Sequence, residues 1–335
     1  MSKSEVPVEF VRALNELGLS HSSSLSGTPL TGGVSSDIWR IETETGFVCA
    51  KRALSKLRVA ADWHAPVERN LFEARWLQVA HQASAGCAPK LLGQHPVLGV
   101  LVMQYLDPAH YRLWKQELHA GKADAHTAND VGQVLSRIHS YAARNSQLAK
   151  EFATDKIFFE IRLAPYLLAT ALRHPNLADA LGELVLQTQK NAKTLVHGDV
   201  SPKNILLGSK GPVLLDAECA TWSDPAFDLA FCLNHLLLKC LWTPSSASGF
   251  LHCFEVLTNS YLQSVDWELS SAIEARAARL LPGLLLARVD GKSPVEYVTE
   301  EYQRDHIRRV ASTLLLKPAT YLREVAHAWA KDLKT

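Results

Sequence analysis

Apolar residues at positions 8–17 (VEFVRALNEL) recur at helical spacing and stop at Gly18, a residue suited to closing a helix C-terminus. The Ser- and Gly-rich run 21–28 reads as a loop. Three β-like stretches follow: Leu30 with Val34, then residues 38–41, then 47–51, with residues 42–46 as a turn between the last two. Pro66 is placed to open a helix that runs through Glu73 and Trp76 to about Ala83. Residues 97–105 are again apolar and β-like, turning at Leu98-Gly99.

After Asp107-Pro108 the pattern changes. Residues 127–144 carry Val131, Val134, Leu135, Ile138 and Tyr141 on one helical stripe, and most of the remainder also reads as helical. The exceptions are two short apolar runs, 205–207 and 213–215, which Gly208-Ser209-Lys210-Gly211 joins into a hairpin. The expected fold is α+β in two lobes: residues 1–106, an antiparallel sheet with one long helix, and residues 107–335, mainly helical with the hairpin. A length of 335 residues suits that division.

Composition narrows the class. With 35 basic against 34 acidic side chains, the net charge of +1 argues against a nucleic-acid binder with a broad basic surface and against a polybasic membrane anchor. The charge divides evenly, ten basic and nine acidic before residue 106 and 25 of each after it. The polar start Met1-Ser2-Lys3-Ser4-Glu5 has no signal-peptide core. The greasiest stretch, 229–242, is broken by Asn234, His235 and Lys239 and is too short for a bilayer span. Six cysteines without a C-x-x-C pair read as reduced, buried thiols, so a cytoplasmic location is expected. None of the 14 histidines has a zinc spacing.

The chemistry concentrates in residues 195–207, LVHGDVSPKNILL. Asp199 lies five residues before Asn204, which opens the first hairpin strand, and the second strand ends in Asp216-Ala217-Glu218. An amide and an acid at one end of a hairpin can hold a hard cation such as Mg²⁺ on nucleotide phosphates while a further carboxylate faces an attacking hydroxyl. Phosphoryl transfer needs positioning, a cation and an orienting carboxylate more than covalent help.

His197-Gly198-Asp199, Asn204, Asp216-Ala217-Glu218 and Asp228-Leu229-Ala230 together resemble the aminoglycoside phosphotransferase superfamily of kinase-like enzymes. The resemblance implies a two-lobed kinase-like fold using ATP and Mg²⁺. In it Asp199 is the catalytic carboxylate, Asn204 and Asp216 hold Mg²⁺, and Glu218 contacts the metal or stands behind it. Asp228, which also suits a helix cap, would brace the Asp199 loop through backbone amides, and His197 would pack that loop. In the first lobe, backbone amides at Gly32, Gly33, Val34, Ser35 and Ser36 would cover phosphates, Lys51 would pair with them, and Glu73 rather than Glu68 would orient Lys51. Gln104, Tyr105 and Leu106 would form the hinge that reads an adenine edge.

Residues 51–74, with Trp63 in a loop after the lysine strand, and residues 224–237 are further similar to the methylthioribose kinase-like branch. That branch lacks the amide found here as Asn204, and residues after Leu284 do not reproduce its arginine pair, for which Arg288 is a partial counterpart. Trp63, Trp222 and Arg288 are the substrate-facing candidates, Arg288 in a polar loop interrupting helices. The spacing of twelve positions from Asp216 to Asp228 leaves no room for the peptide-docking segment of a protein kinase. The expected acceptor is the hydroxyl of a small molecule, a pentose-like sugar or polyol. An aminoglycoside or an amino alcohol is the alternative, and a catalytically silent kinase-like binding module the non-enzyme one. No nucleic acid or membrane partner is expected, and homodimer formation is left open.

Overall fold

The computed structural model describes residues 4–30, 35–56, 58 and 63–333. Its first part comprises β1 (Ser4–Glu5), α1 (Val8–Glu16), β2 (Ser26–Pro29), β3 (Ser36–Thr43), β4 (Gly46–Ala53), α2 (Arg69–Ala83), β5 (Leu91–His95) and β6 (Val100–Gln104). The strands form one antiparallel sheet in the order β1-β2-β3-β4-β6-β5. Alternation along β4 decides what each face does. Val48 and Ala50 join Phe10, Leu14, Ile41, Val100 and Val102 in a small core under α1. Lys51 has the opposite parity and lies across from Ile38 and Leu101, on the side where α2 packs.

Several expectations shift here. Ser26–Pro29 is a strand rather than loop, because Gly27 and Thr28 pair with Ile41 and Arg40. The helix after Pro66 begins only at Arg69, with Val67 and Glu68 in a turn. The 97–105 strand starts at Val100, and the turn before it joins β5, whose mixed sequence LLGQH hid it from a hydrophobicity reading.

The second part begins with β7 (Arg112–Leu113), α3 (Trp114–His119) and α4 (Ala125–Ala143). The Asp124 side chain accepts from the His126 and Thr127 N–H groups, so α4 starts two residues before the predicted 127. Short turns α5 (Gln147–Glu151) and α6 (Asp155–Phe158) lead into a wide π-type segment, Phe159–Leu168, with Pro165 inside it, then α7 (Ala169–Arg173) and α8 (Ala178–Lys190). Next come β8 (Thr194–Val196), β9 (Ile205–Gly208), β10 (Gly211–Leu214), β11 (Thr221–Ser223), α9 (Ala226–Trp242), α10 (Ala247–Gln263), α11 (Ser270–Asp290), α12 (Glu301–Leu316) and α13 (Leu322–Asp332). The hairpin is as expected, with Gly208 facing Gly211. The three-residue strands β8 and β11 pair across it in sequence and were invisible to periodicity.

Helix α9 is buried on nearly every side, with α10 and α11 against it and α4 against α10. An apolar all-round helix of this length is what a helical core needs at its centre. Among the described residues no helix is long and apolar enough to cross a membrane.

All six cysteines are free thiols. Burial raises their pKa values, to about 12 for Cys49, Cys87 and Cys240 and about 11 for Cys253, and upward also for Cys219 and Cys232. Alkylation by iodoacetamide at pH 8 should therefore be slow in the native protein and reach six thiols only after denaturation. Fast native labelling, followed by mass spectrometry, would contradict this packing.

Candidate active site

The loop between β8 and β9 is built around one buried carboxylate. Asp228, in the first turn of α9, is fully buried and accepts from the backbone N–H groups of His197 (2.6 Å) and Gly198 (2.8 Å). Its Oδ2 also meets His139 Nε2 at 3.2 Å, and His139 Nδ1 lies 2.8 Å from the Tyr261 hydroxyl. Gly198 has φ +79°, and a Cβ there would lie 2.8 Å from Cys219 Cβ and 2.9 Å from its carbonyl oxygen. Only glycine fits both constraints.

His197 is buried edge-on to Trp76, its Nε2 3.0 Å from the Leu215 carbonyl and its Nδ1 accepting from the Asp199 N–H. Burial lowers its pKa, so it is a neutral packing group, as the sequence suggested. Leu215 also donates its N–H to the Asn204 carbonyl (2.8 Å), so one residue at the end of the hairpin ties both halves of the loop.

Asp199 is 3% exposed. Its Oδ2 meets Arg162 at 3.0 Å and Lys203, one turn on, at 3.2 Å. Burial alone would raise its pKa; Lys203 and Arg162 overcome that and hold it below the usual carboxylate value. Arg162 also donates to the Gly198 carbonyl (2.5 Å), fixing the loop from the side opposite Asp228. The Asn204 side-chain N–H₂ donates to the Asp199 carbonyl (3.1 Å), which fixes the orientation of the Asn204 amide. Asp216 has φ +67°, the one left-handed non-glycine residue among those described, a conformation that aspartate tolerates better than most.

Lys51 completes the cluster. Its ammonium lies 2.7 Å from Glu73 and also contacts Asp216, and it is 3% exposed. Burial works against this charge, but Asp216, Glu73 and Glu218 together keep the pKa well above that of a free lysine. Lys51 in turn holds Asp216 below the usual range. Glu68 is exposed at the head of α2, so Glu73 is the partner, as expected.

The other predicted residues divide. Glu218 directs Oε2 to Arg69 Nε at 3.0 Å. Ser35 is buried and its carbonyl accepts from Arg69, while Ser36 opens β3 with its hydroxyl buried and unpaired. Gly32, Gly33 and Val34 lie outside the described residues, as do Leu57 and residues 59–62 of the tryptophan loop.

Gln104 ends β6 opposite Val48, its N–H on the Lys90 carbonyl. Tyr105 packs beside Phe47 and the Arg40 guanidinium, and Leu106 is half-buried just beyond. Trp63 is buried against the main core with its indole N–H unpaired. Trp222 is half-buried on β11, its backbone N–H on the Phe152 carbonyl. Arg288 is in the last turn of α11, not in a loop: it is buried, bonds the Tyr166 hydroxyl (2.8 Å) and the Ser293 carbonyl (2.6 Å), and Tyr166 adjoins Arg162.

Arg69, Arg162 and His139 carried no role in the sequence reading. Arg69 is fully buried and donates to Glu218 and to the carbonyls of Ser35, Leu54, Ala65 and Pro66, tying the start of β3 to the hairpin region. The signal for Arg162 was present: it is a lone cation in the apolar run 157–168, where an unpaired charge would be costly.

Replacing Asp228 with Ala strands two buried N–H donors and His139. It should lower stability by at least about 2 kcal/mol in urea denaturation, since each stranded group costs roughly 1–3 kcal/mol. A change within about 0.5 kcal/mol, the range of an ordinary surface substitution, would mean the brace is dispensable.

The chain as a whole is similar to known proteins. Residues 26–240 match the model of the phosphotransferase enzyme family. Among curated proteins, the chain is similar to methylthioribose kinase of Enterobacter sp. (strain 638), 24% identical over 222 residues, 57% of this chain and 54% of that protein. It is also similar to methylthioribose kinase of Bacillus pumilus (strain SAFR-032), 25% identical over 258 residues, 67% of this chain and 64% of that one. The chain thus spans little more than half the length of the first of these relatives and under two thirds of the second.

Among solved structures, amicoumacin kinase hAmiN in complex with AMP-PNP, Ca²⁺ and Ami superposes with a TM-score of 0.58 at 12% identity, over 88% of this chain and 90% of that one. A gentamicin-APH(2")-IIa complex gives 0.50 at 14% identity, over 98% and 96%. At these identities the superpositions establish a kinase-like fold. The match over residues 26–240 establishes that the chain belongs to the phosphotransferase enzyme family.

Proposed function

We propose that the protein transfers the γ-phosphoryl group of ATP to a hydroxyl of a small, non-cationic metabolite, a pentose-like sugar or polyol. The observation that carries this reading is the buried Asp199 carboxylate, kept ionised by Lys203 and Arg162 in the loop that leads through Asn204 into the hairpin, whose far end, Asp216, is joined to Lys51 and through it to Glu73. An ionised carboxylate fixed by two cations can orient an acceptor hydroxyl and take its proton as the O–P bond forms. Lys51 is held where it can pair with nucleotide phosphates, and Glu73 keeps it aimed.

The donor set fits Mg²⁺. Asn204 and Asp216 offer hard oxygen atoms, and the Asn204 amide is oriented by its bond to the Asp199 carbonyl. Among the described residues no three His, Cys, Asp or Glu side chains gather as a self-sufficient metal site. Two protein ligands completed by phosphates and water are the usual Mg²⁺ arrangement. When bound, the ion would neutralise charge on the phosphates. Glu218, balanced by Arg69, stays behind Asp216 in this reading.

The acceptor class follows from charge. Arg162 and Lys203 flank Asp199, and Arg288 lies beyond Tyr166, so a polycationic aminoglycoside or an amino alcohol would meet cations rather than carboxylates. The names of the curated relatives point to a sugar as well.

An ADP-release assay with Mg²⁺ and panels of sugars, polyols, amino alcohols and aminoglycosides tests this. Turnover should appear with a sugar or polyol, and Asp199→Asn should cut kcat by about 10²–10⁴-fold while leaving ATP affinity within about threefold. Turnover only with an aminoglycoside, or an unaffected Asp199→Asn variant, would refute the assignment.

A further inference from the structure

Helix α9 carries a polar thread through the core. Asp228, Phe231, His235, Lys239 and Trp242 follow one another at spacings of three, four, four and three, which puts them on one face. The first of these braces the Asp199 loop, and Phe231 lies under Arg162, whose guanidinium carbon is 5.9 Å from its ring. The face therefore runs away from the reacting carboxylate, and Lys239 lies about 12 Å along the axis from Phe231.

Lys239 is 1% exposed and, among the described residues, its ammonium has no hydrogen-bond or ion-pair partner. Its ammonium lies 3.5 Å from the Tyr297 ring centre and 3.9 Å from that of Trp242. The two rings stack at 4.5 Å, and His119 of α3 stacks on Trp242 at 3.9 Å. One turn back, His235 has Nδ1 near the Tyr297 hydroxyl (3.3 Å) and Nε2 buried without a partner. Arg288 also has a buried, unpaired Nε and no carboxylate partner.

The surrounding charges are one-sided. Lys115 of α3 is paired with Glu296, the one acid in the group, while Arg288, Lys239, Lys203 and Lys115 all bear on His235. Burial, with Lys115 and Arg288 adding to it, pushes the Lys239 amine down to about 6, and Glu296 opposes this only in part. Ring contacts compensate a buried ammonium by roughly 2 kcal/mol, less than burial of an unpaired charge costs.

We propose that Lys239, with His235 beside it and Trp242 and Tyr297 as its wall, is a subsite for an anionic oxygen group, a carboxylate or phosphate ester, carried by the acceptor at the end remote from the phosphorylated hydroxyl. This rests on the kinase reading for the acceptor's identity, but the subsite is testable without turnover. Calorimetric titration of the full chain, without nucleotide, with ribose 5-phosphate against ribose and with gluconate against glucitol reads it directly. The charged member of at least one pair should bind about tenfold or more tighter, and which pair responds separates phosphate from carboxylate. Lys239→Met should bring the two members within about threefold, and Lys239→Arg should keep most of the preference.

At pH 7.5 gluconate binding should take up close to one proton, read from the dependence of enthalpy on buffer ionisation, because the anion raises the Lys239 pKa from below to above that pH. In the ADP-release assay the preference should reside in KM. Equal binding of charged and neutral members by the wild-type protein, or a preference that survives Lys239→Met, would overturn the subsite. Anion binding without any turnover would strike the kinase reading and leave the subsite standing; turnover of neutral sugars with no anion preference would do the reverse.

Discussion

The Lys51 ammonium is the point on which the site's geometry depends. It comes from the middle of the sheet, its partner Glu73 from α2 and its other partner Asp216 from the end of the hairpin, so three elements distant in sequence meet at one charge. A buried ion that loses one partner typically costs about 3–5 kcal/mol, so none of the three can move independently. Arg69 repeats the device beside it, joining the start of β3 and the turn before α2 to Glu218. The sheet and the hairpin are thereby registered by charge at the cleft, while the apolar contacts of α2 and α4 hold them together behind it.

On the helical side the same economy is reached with hydrogen bonds. Asp228 turns the first N–H groups of the 197–199 loop toward α9, and Arg162 holds the Gly198 carbonyl and the Asp199 carboxylate from the π-type segment. The loop is thus fixed on both its donor and its acceptor sides before any ligand arrives, which is the preorganisation that electrostatic catalysis requires. Arg162 lies within this wide helical segment, in keeping with the tendency of π-type turns to sit at functional sites.

Much of this was legible in the sequence. The sheet-rich and helical parts, the hairpin and the reduced thiols followed from periodicity, turn residues and cysteine spacing, whereas Lys51 with Glu73 and the part given to the Asp199 loop came from the family resemblance. Short strands did not: β8 and β11 have three residues each and exist because they pair with each other, a tertiary fact with no periodicity to announce it. Arg69 and Arg162 escaped because the partners that tie them to the site, Ser35 and Glu218 for one and Gly198 and Asp199 for the other, are distant in sequence. Asn234, His235 and Lys239 were taken as breaks in a greasy stretch. They are instead buried, two of them on the face that runs from the catalytic loop past the aromatic stack. The polar run 288–293 reads as a loop between helices, whereas α11 continues through Leu284, Leu285 and Leu286 to Asp290 and so contains Arg288.

The family match and the superposed structures place the chain among phosphotransferases with a kinase-like fold, and transfer of a phosphoryl group to an acceptor hydroxyl is the proposal that the site's geometry supports. The most direct measurement is ³¹P NMR of the full chain incubated with ATP, Mg²⁺ and a panel of sugars, polyols and sugar acids. The account predicts a new phosphomonoester resonance growing in step with ADP. ADP accompanied only by inorganic phosphate, or unchanged ATP across the whole panel, would contradict it.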